Sequence, residues 1–217
     1  MNTKRTPIPV RAKSKPPVGA ITKPPVGAIV LAAGASRRMG QPKQLLPIDG
    51  QPMVRLVTEA ACAAGLAQVV VVLGAHAADV AVALEGLPVG LVVNEDWREG
   101  MSTSLGVGLG ALRPEIAAAL LVLADQPDLS PELLRALVAR YRATGAPLVA
   151  PYHGGRRGNP VLFDRALFAE LEAVTGDRGG RSVVARHEAE LERVEVQDPA
   201  VVSDVDTPQD YEALAQR

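Results

Sequence analysis

Aromatic residues make up only 3% of the 217-residue chain, so its core has to be filled by Ala, Val and Leu. A single cysteine, Cys62, excludes an internal disulfide and suits a reducing, cytoplasmic setting. Flanked by Ala61 and Ala63 in an apolar helical pattern, it reads as a buried structural thiol rather than a nucleophile. No apolar stretch reaches the length of a membrane span, which argues against a membrane partner. The net charge of −1 argues against a dedicated nucleic-acid binder. The three histidines, His76, His153 and His187, form no zinc-ligand spacing with Cys62. No G-x-S-x-G elbow occurs, so acyl transfer has no anchor. The length and the 47% hydrophobic content fit one globular domain, or one domain with an appendage.

The most informative stretch is 28–43, AIVLAAGASRRMGQPK. Its apolar run ends at Gly34, as expected of a strand buried on both faces. The loop that follows would emerge at the carboxyl edge of a parallel sheet, where open α/β sheets bind ligands. Ala32, Ala33, Gly34 and Ala35 let a ligand approach the backbone and leave amides free to face it. Arg37, Arg38 and Lys43 add cationic groups, which suggests a polyanion, most simply a nucleoside triphosphate. The loop is neither a dinucleotide fingerprint nor a Walker A sequence: Gly34 and Gly40 are too far apart, and no Ser or Thr follows Lys43. The plainer alternative is a strand exit with solvated basic residues.

Residues 1–26 are expected to form a flexible, Pro-rich tail carrying six basic residues and no acid, ahead of a single domain over 27–217. Within it Lys15-Pro16-Pro17-Val18-Gly19-Ala20-Ile21 recurs as Lys23-Pro24-Pro25-Val26-Gly27-Ala28-Ile29. The tail lacks the apolar segment and cleavage site of a secretory signal. From residue 28 strands and helices alternate. Helices are expected over 52–64, about 76–85, 102–112 and from Pro131, with Ser130 as its cap. Strands are expected over 69–73, 88–93, 120–123 and 147–150. Such alternation means a three-layer α/β/α fold with a mostly parallel sheet. Beyond residue 151 a polar, Gly-rich segment and the strand-like Asn159-Pro160-Val161-Leu162-Phe163 suggest an added β-hairpin or edge excursion. Helices near 165–174 and 181–189, a strand near 191–196 and a helix from Thr207 follow.

Three further segments carry candidate chemistry. Asp125 directly follows the fourth strand and is placed to hold a divalent cation against phosphates, or else to cap a turn. Asp204 and Asp206, two residues apart, would share one face of a strand and could supply a second metal ligand; Asp206 could equally be an anion at a helix start. In 94–104, NEDWREGMSTS, free amides at a helix N-terminus and the hydroxyls of Ser102, Thr103 and Ser104 would suit a nucleobase, ribose or phosphate.

Taken together, Leu31-Ala32-Ala33-Gly34-x-Ser36-x-Arg38-Met39-Gly40-x-x-Lys43 resembles the signature of the sugar-nucleotidyltransferase-like superfamily. Within it the chain is most similar to the molybdenum cofactor cytidylyltransferases. Asn94-x-x-Trp97-x-x-Gly100-Met101-Ser102-x-Ser104, Asp125-Gln126-Pro127 and Arg157-Gly158-Asn159-Pro160-Val161-Leu162-Phe163 agree with this family. So do Gly176-Asp177-x-Gly179 and Asp204-x-Asp206-Thr207-Pro208-x-Asp210. The likeness covers about 28–215, and the ordered motifs make it specific where the first alone would place only the superfamily.

The resemblance implies a Rossmann-like nucleotidyltransferase fold and transfer of CMP from CTP to the phosphate of molybdopterin, with release of pyrophosphate and dependence on Mg²⁺. It implies that Leu31, Ala32, Ala33, Gly34, Ser36, Arg38 and Lys43, with Asn94, Gly100, Met101 and Ser102, bind the nucleotide. Arg38, Lys43 and Asp125 would be catalytic, Asp125 and Asp206 would hold the metal, and Arg157, Gly158, Asn159 and Pro160 would face the pterin. Guanylyl-transferring relatives usually carry a second glycine at the position of Ala33 and a Gly-Gly-x-Asp-Lys end to the loop. Gly40-Gln41-Pro42-Lys43 departs from that, which favours CTP. The alternatives are another nucleotidyl transfer, to the same cofactor from GTP or to a sugar phosphate, and a non-catalytic carrier delivering the cofactor to an apo-molybdoenzyme or insertion chaperone.

Overall fold

The computed structural model describes residues 23–36, 39–205 and 207–215. The elements follow in the order β1 (Val26–Leu31), β2 (Pro47–Ile48), β3 (Gln51–Pro52), α1 (Met53–Ala63), β4 (Gln68–Leu73), α2 (Ala77–Ala83), β5 (Gly90–Val93) and α3 (Met101–Gly110). Then come β6 (Ala118–Leu123), α4 (Pro131–Thr144), β7 (Leu148–His153), β8 (Arg156–Arg157), β9 (Val161–Asp164), α5 (Phe168–Glu172), α6 (Arg181–Arg186), β10 (Leu191–Glu195) and α7 (Pro208–Ala215). No helix among the described residues is long and apolar enough to cross a membrane.

The main sheet is ordered β10-β7-β9-β6-β1-β4-β5, with β8 paired to β7. The pairs β1–β4, β1–β6, β4–β5 and β10–β7 are parallel, so the three-layer, mostly parallel expectation holds. Its cause is visible in β1, whose successive side chains enter opposite cores. Ala28 and Val30 pack with Val54 and Val57 of α1, Val80 of α2 and Leu134 and Leu137 of α4. Ile29 packs with Leu105 of α3, Leu171 of α5 and Val183 of α6. Helix α4 starts and stops as its residues dictate: Ser130 Oγ accepts from Leu133 N–H at 3.2 Å, Pro131 occupies the first turn and Gly145 closes the end at φ 66°.

Three features differ from the sequence reading. Strand β9 is not an edge excursion: it runs antiparallel between β6 and β7 inside the sheet. Its Leu162 and Phe163 are buried on opposite faces, which a central strand requires. The added hairpin is real, formed by β7 and β8 around Gly154 and Gly155, both at positive φ. A second small hairpin, β2–β3, turns at Asp49 (φ 49°) and Gly50 (φ 81°). An Asp-Gly pair is the residue choice for such a turn. At the amino end β1 begins at Val26, the last residue of the expected tail, and residues 1–22 of that tail lie outside the described residues.

Chain order places the ligand edge. From β1 the chain moves outward through β4 and β5, then returns to β6 on the other side of β1. The crevice beyond the carboxyl ends of β1 and β6 is therefore the topological switch point. It is tightly sewn: Ala32 N–H donates to Val72 O at 2.9 Å and Ala124 N–H to Leu31 O at 3.3 Å. Gly74 shows how little room is left. A Cβ there would lie 2.6 Å from Ala33 O and 2.7 Å from Ala33 Cβ. Gly74→Ala is expected to cost about 1–3 kcal/mol in urea unfolding with an unchanged m-value. Gly106→Ala, which points into open space in α3, is expected to be neutral or stabilising by up to ~1 kcal/mol.

Candidate active site

The loop leaving β1 folds back on itself through hydrogen bonds. Ser36 adopts φ 51°, a left-handed conformation that a non-glycine residue holds only when its surroundings enforce it. Its hydroxyl accepts from Lys43 N–H at 3.0 Å and donates to Gln44 Oε1 at 2.9 Å, so Ser36 shapes the loop as well as lining it. Lys43 opens a short 3-10 turn, Lys43–Leu45, whose end is held by Leu46 N–H donating to Lys43 O at 3.0 Å. That turn points the Lys43 side chain across the crevice.

There it meets Asp125. Lys43 Nζ lies 2.6 Å from Asp125 Oδ2, 82 residues away in sequence, with the two side chains only 18% and 20% exposed. The other carboxylate oxygen, Asp125 Oδ1, is buried and has no hydrogen-bond partner among the described residues. A buried carboxylate oxygen without a donor is an open acceptor for a cation. Among the described residues no cluster of three or more His, Cys, Asp or Glu converges to cage a metal. The open oxygen of Asp125 fits a divalent cation held by few carboxylates, with substrate phosphates and waters completing its shell.

The carboxyl-terminal segment reaches the same place. Val205 N–H donates to Asp125 O at 3.1 Å, and Gln126 Nε2 donates to Asp204 Oδ1 at 2.6 Å. Helix α7 brings it there by packing on the β2–β3 hairpin, with Tyr211 Oη donating to Pro47 O at 2.7 Å. Residues 203–205 are not a strand, so the expectation that Asp204 and Asp206 share one strand face is corrected. Arg37, Arg38 and Asp206 lie outside the described residues.

The 94–104 loop is more self-contained than its residue types suggest. Asn94, 2% exposed, donates from Nδ2 to Thr103 Oγ1 and Ser104 Oγ, both at 2.9 Å, and accepts from Asp96 N–H at 3.0 Å. Both its amide hydrogens are used within the loop, so its side chain holds the loop against α3. The α3 amino terminus is also partly engaged: Asp177 Oδ1 accepts from Met101 N–H at 3.2 Å. The turn containing Asp177 packs so closely that a Cβ on Gly100 would sit 2.7 Å from the Gly176 carbonyl carbon. With a carboxylate already at this helix end, a phosphate is better received on the Lys43 side of the crevice. Ser102 is buried in the same turn and Met101 is exposed.

On the third side, Gly158 N–H donates to Pro151 O at 2.8 Å and Asn159 N–H to Val201 O at 2.9 Å. A Cβ on Gly158 would clash with the Val201 carbonyl, so glycine is required at that crossing. Asn159 precedes a cis bond to Pro160 and, with Gln126, lines a cavity of about 380 Å³ whose other walls include Leu129, Leu133, Val196 and Val201. Arg157 lies in β8, outside that lining. Gln44, buried beneath Gly34 and Ser36, and Asp177 are the site residues that the sequence reading gave no role.

The family model for the MobA-like NTP transferase domain matches residues 28–196. The chain belongs to this family. Among curated relatives of this NTP transferase, nicotine blue oxidoreductase of Paenarthrobacter nicotinovorans is 34% identical, covering 82% of this chain and 91% of that protein. The molybdenum cofactor cytidylyltransferase of Escherichia coli K12 is 25% identical, covering 87% and 95%. The crystal structure of Rv0371c from Mycobacterium tuberculosis H37Rv superimposes with a TM-score of 0.82 at 32% identity, covering 91% of this chain and all of that one. A second structure of Rv0371c, in complex with manganese, gives a TM-score of 0.77 at 31% identity, covering 88% and 98%.

Because Asp125 stands at a sheet edge, Asp125→Asn in this NTP transferase should leave the far-UV spectrum unchanged and shift the Tm by only a few degrees. Mn²⁺ binding in the presence of nucleotide, read by electron paramagnetic resonance, should weaken by on the order of tenfold or more. Loss of folded protein instead would assign Asp125 to the fold.

Proposed function

We propose that this chain transfers CMP from CTP to the terminal phosphate of molybdopterin or the molybdenum cofactor, releasing pyrophosphate. The observation that carries the reading is the convergence of Lys43 and Asp125 at the switch point, with one oxygen of Asp125 left open. An ammonium and an available carboxylate at the mouth of a backbone loop match the two needs of a metal-bound triphosphate. The likeness to a molybdenum cofactor cytidylyltransferase and to a protein crystallised with manganese supports the cytidylyl donor and the divalent cation. Ala33 and the Gly40-Gln41-Pro42-Lys43 sequence favour CTP over GTP.

In this reading an oxygen of the acceptor phosphate forms the new bond to the α-phosphorus of CTP. The bond from the α-phosphorus to the bridging oxygen breaks, and its electron pair leaves with pyrophosphate. The acceptor is a phosphate monoester with a second pKa of about 6, so it is mostly dianionic near neutral pH and needs no general base. The work left to the protein is placement in line and neutralisation of two meeting anions. Lys43 exchanges Asp125 for the phosphates of CTP, joined by Arg38. Asp125, with Asp206 as the second expected ligand, would hold Mg²⁺, which when bound there neutralises phosphate charge. Arg157, Gly158, Asn159 and Pro160 are assigned to the acceptor side.

Thermal-shift measurements with CTP, GTP, UTP and ATP in the presence of Mg²⁺ should rank CTP first, and a GTP preference overturns the cytidylyl assignment. Lys43→Ala should lower pyrophosphate release by roughly 10²–10³-fold. If the protein binds the cofactor yet releases no pyrophosphate from CTP, and Lys43→Ala behaves as wild type, the chain is a carrier.

A further inference from the structure

Gln44 directly follows Lys43 and is 4% exposed. A buried primary amide is costly unless its donors and acceptor are used. Here both ends are engaged by the loop itself. Nε2 donates to Gly34 O at 3.0 Å, with Ala32 O at 3.5 Å on the same side, and Oε1 accepts from the Ser36 hydroxyl at 2.9 Å. Ser36 Oγ in turn accepts from Lys43 N–H at 3.0 Å, which closes a ring running from Lys43 through Ser36 and Gln44 back to Gly34.

The ring has a directional consequence. A planar trans peptide sets its C=O and N–H on opposite sides. Drawing Gly34 O inward to Gln44 aims the Ala35 N–H away from it, and drawing Ala32 O inward does the same for the Ala33 N–H. No acceptor among the described residues takes the N–H of Ala33, Gly34 or Ala35. Three consecutive amides without acceptors among the described residues, beside a lysine, form an anion-receiving surface. The same ring holds Ser36 at its left-handed φ of 51°. The residue that sets the direction of these amides is therefore the glutamine beneath them.

We infer that Gln44 is a positioning residue: it orients the 33–35 amides toward the phosphate chain of the nucleotide and, through Ser36, fixes the backbone from which Lys43 projects. This rests on the proposal that the loop receives a triphosphate. A hydrophobic core residue at this position could fill the same space but could not turn the two carbonyls inward.

Gln44→Glu tests this with little change in shape. The ionised carboxylate can accept from Ser36 but cannot donate to Gly34 O, whereas the protonated acid regains a donor. Binding of inorganic tripolyphosphate to the full chain is measured by calorimetry from pH 8 to pH 5 for wild type and variant, with the Tm recorded at each pH. The readout is the ratio of the two dissociation constants at each pH, so protonation of the ligand cancels. The variant should bind at least about tenfold more weakly at pH 8, and the ratio should fall toward one as pH drops. Gln44→Leu should show the deficit at every pH, and in CTP turnover a raised KM larger than its change in kcat. A ratio near one at all pH values overturns the role of Gln44, as does a deficit in Gln44→Glu that does not change with pH. Absence of tripolyphosphate binding by the wild type sinks the nucleotide reading itself.

Discussion

The site depends on one contact, the Lys43 ammonium held against the Asp125 carboxylate where β1 and β6 give out. Two opposite charges, each mostly withdrawn from water, carry a desolvation cost that their mutual attraction has to offset. Pairing sets each of these two charges against an opposite one. In the proposed reaction a cation and a polyanion enter together, and each charge changes partner: the lysine takes phosphate and the carboxylate takes metal. In that exchange neither Lys43 nor Asp125 is left without an opposite charge beside it. Oδ1 of Asp125, without a hydrogen-bond partner among the described residues, is the acceptor that such a cation would take.

The rest of the fold serves to keep that contact in place. Parallel pairing of β1 with β6 in register from Val26–Ala118 to Leu31–Leu123 makes the two chain exits neighbours. The alternating side chains of these strands lock them between two helical layers. The β2–β3 hairpin and α7 form a third, smaller apolar cluster through Ile48, Met53 and Val205, and so deliver the end of the chain to the Asp125 backbone. The asymmetry of the crevice follows from its walls. Asp177 already engages the α3 amino terminus on one side, while Lys43 pairs with Asp125 on the other.

Much of this was legible in the sequence because buried parallel strands leave uninterrupted apolar runs, and those around Ile29, Val71 and Leu121 mark the strands that carry the site. Placing Gly34 and Asp125 at one edge needed only their position after such runs. The location of β9 was not legible, since a short apolar segment behind a polar turn reads alike at an edge and in the interior. The β2–β3 turn had a readable signal in Asp49-Gly50. The roles of Asn94 and Gln44 had none: each looks like a ligand or surface residue by type, and only its hydrogen-bond partners show that it is committed to shaping a loop. Asp177 meets Met101 across 76 positions, a pairing that local pattern cannot carry.

The central claim is that one nucleotide and one cation share the ground between Lys43 and Asp125. Its most direct test is a crystal structure of the full chain with CTP and Mn²⁺, the ion located by anomalous scattering. The account predicts manganese at roughly 2.1 Å from Asp125 Oδ1, with Lys43 turned from the carboxylate onto the phosphates. A structure in which the nucleotide is bound while the Lys43–Asp125 pair stays closed, or with the ion on other ligands, would contradict it.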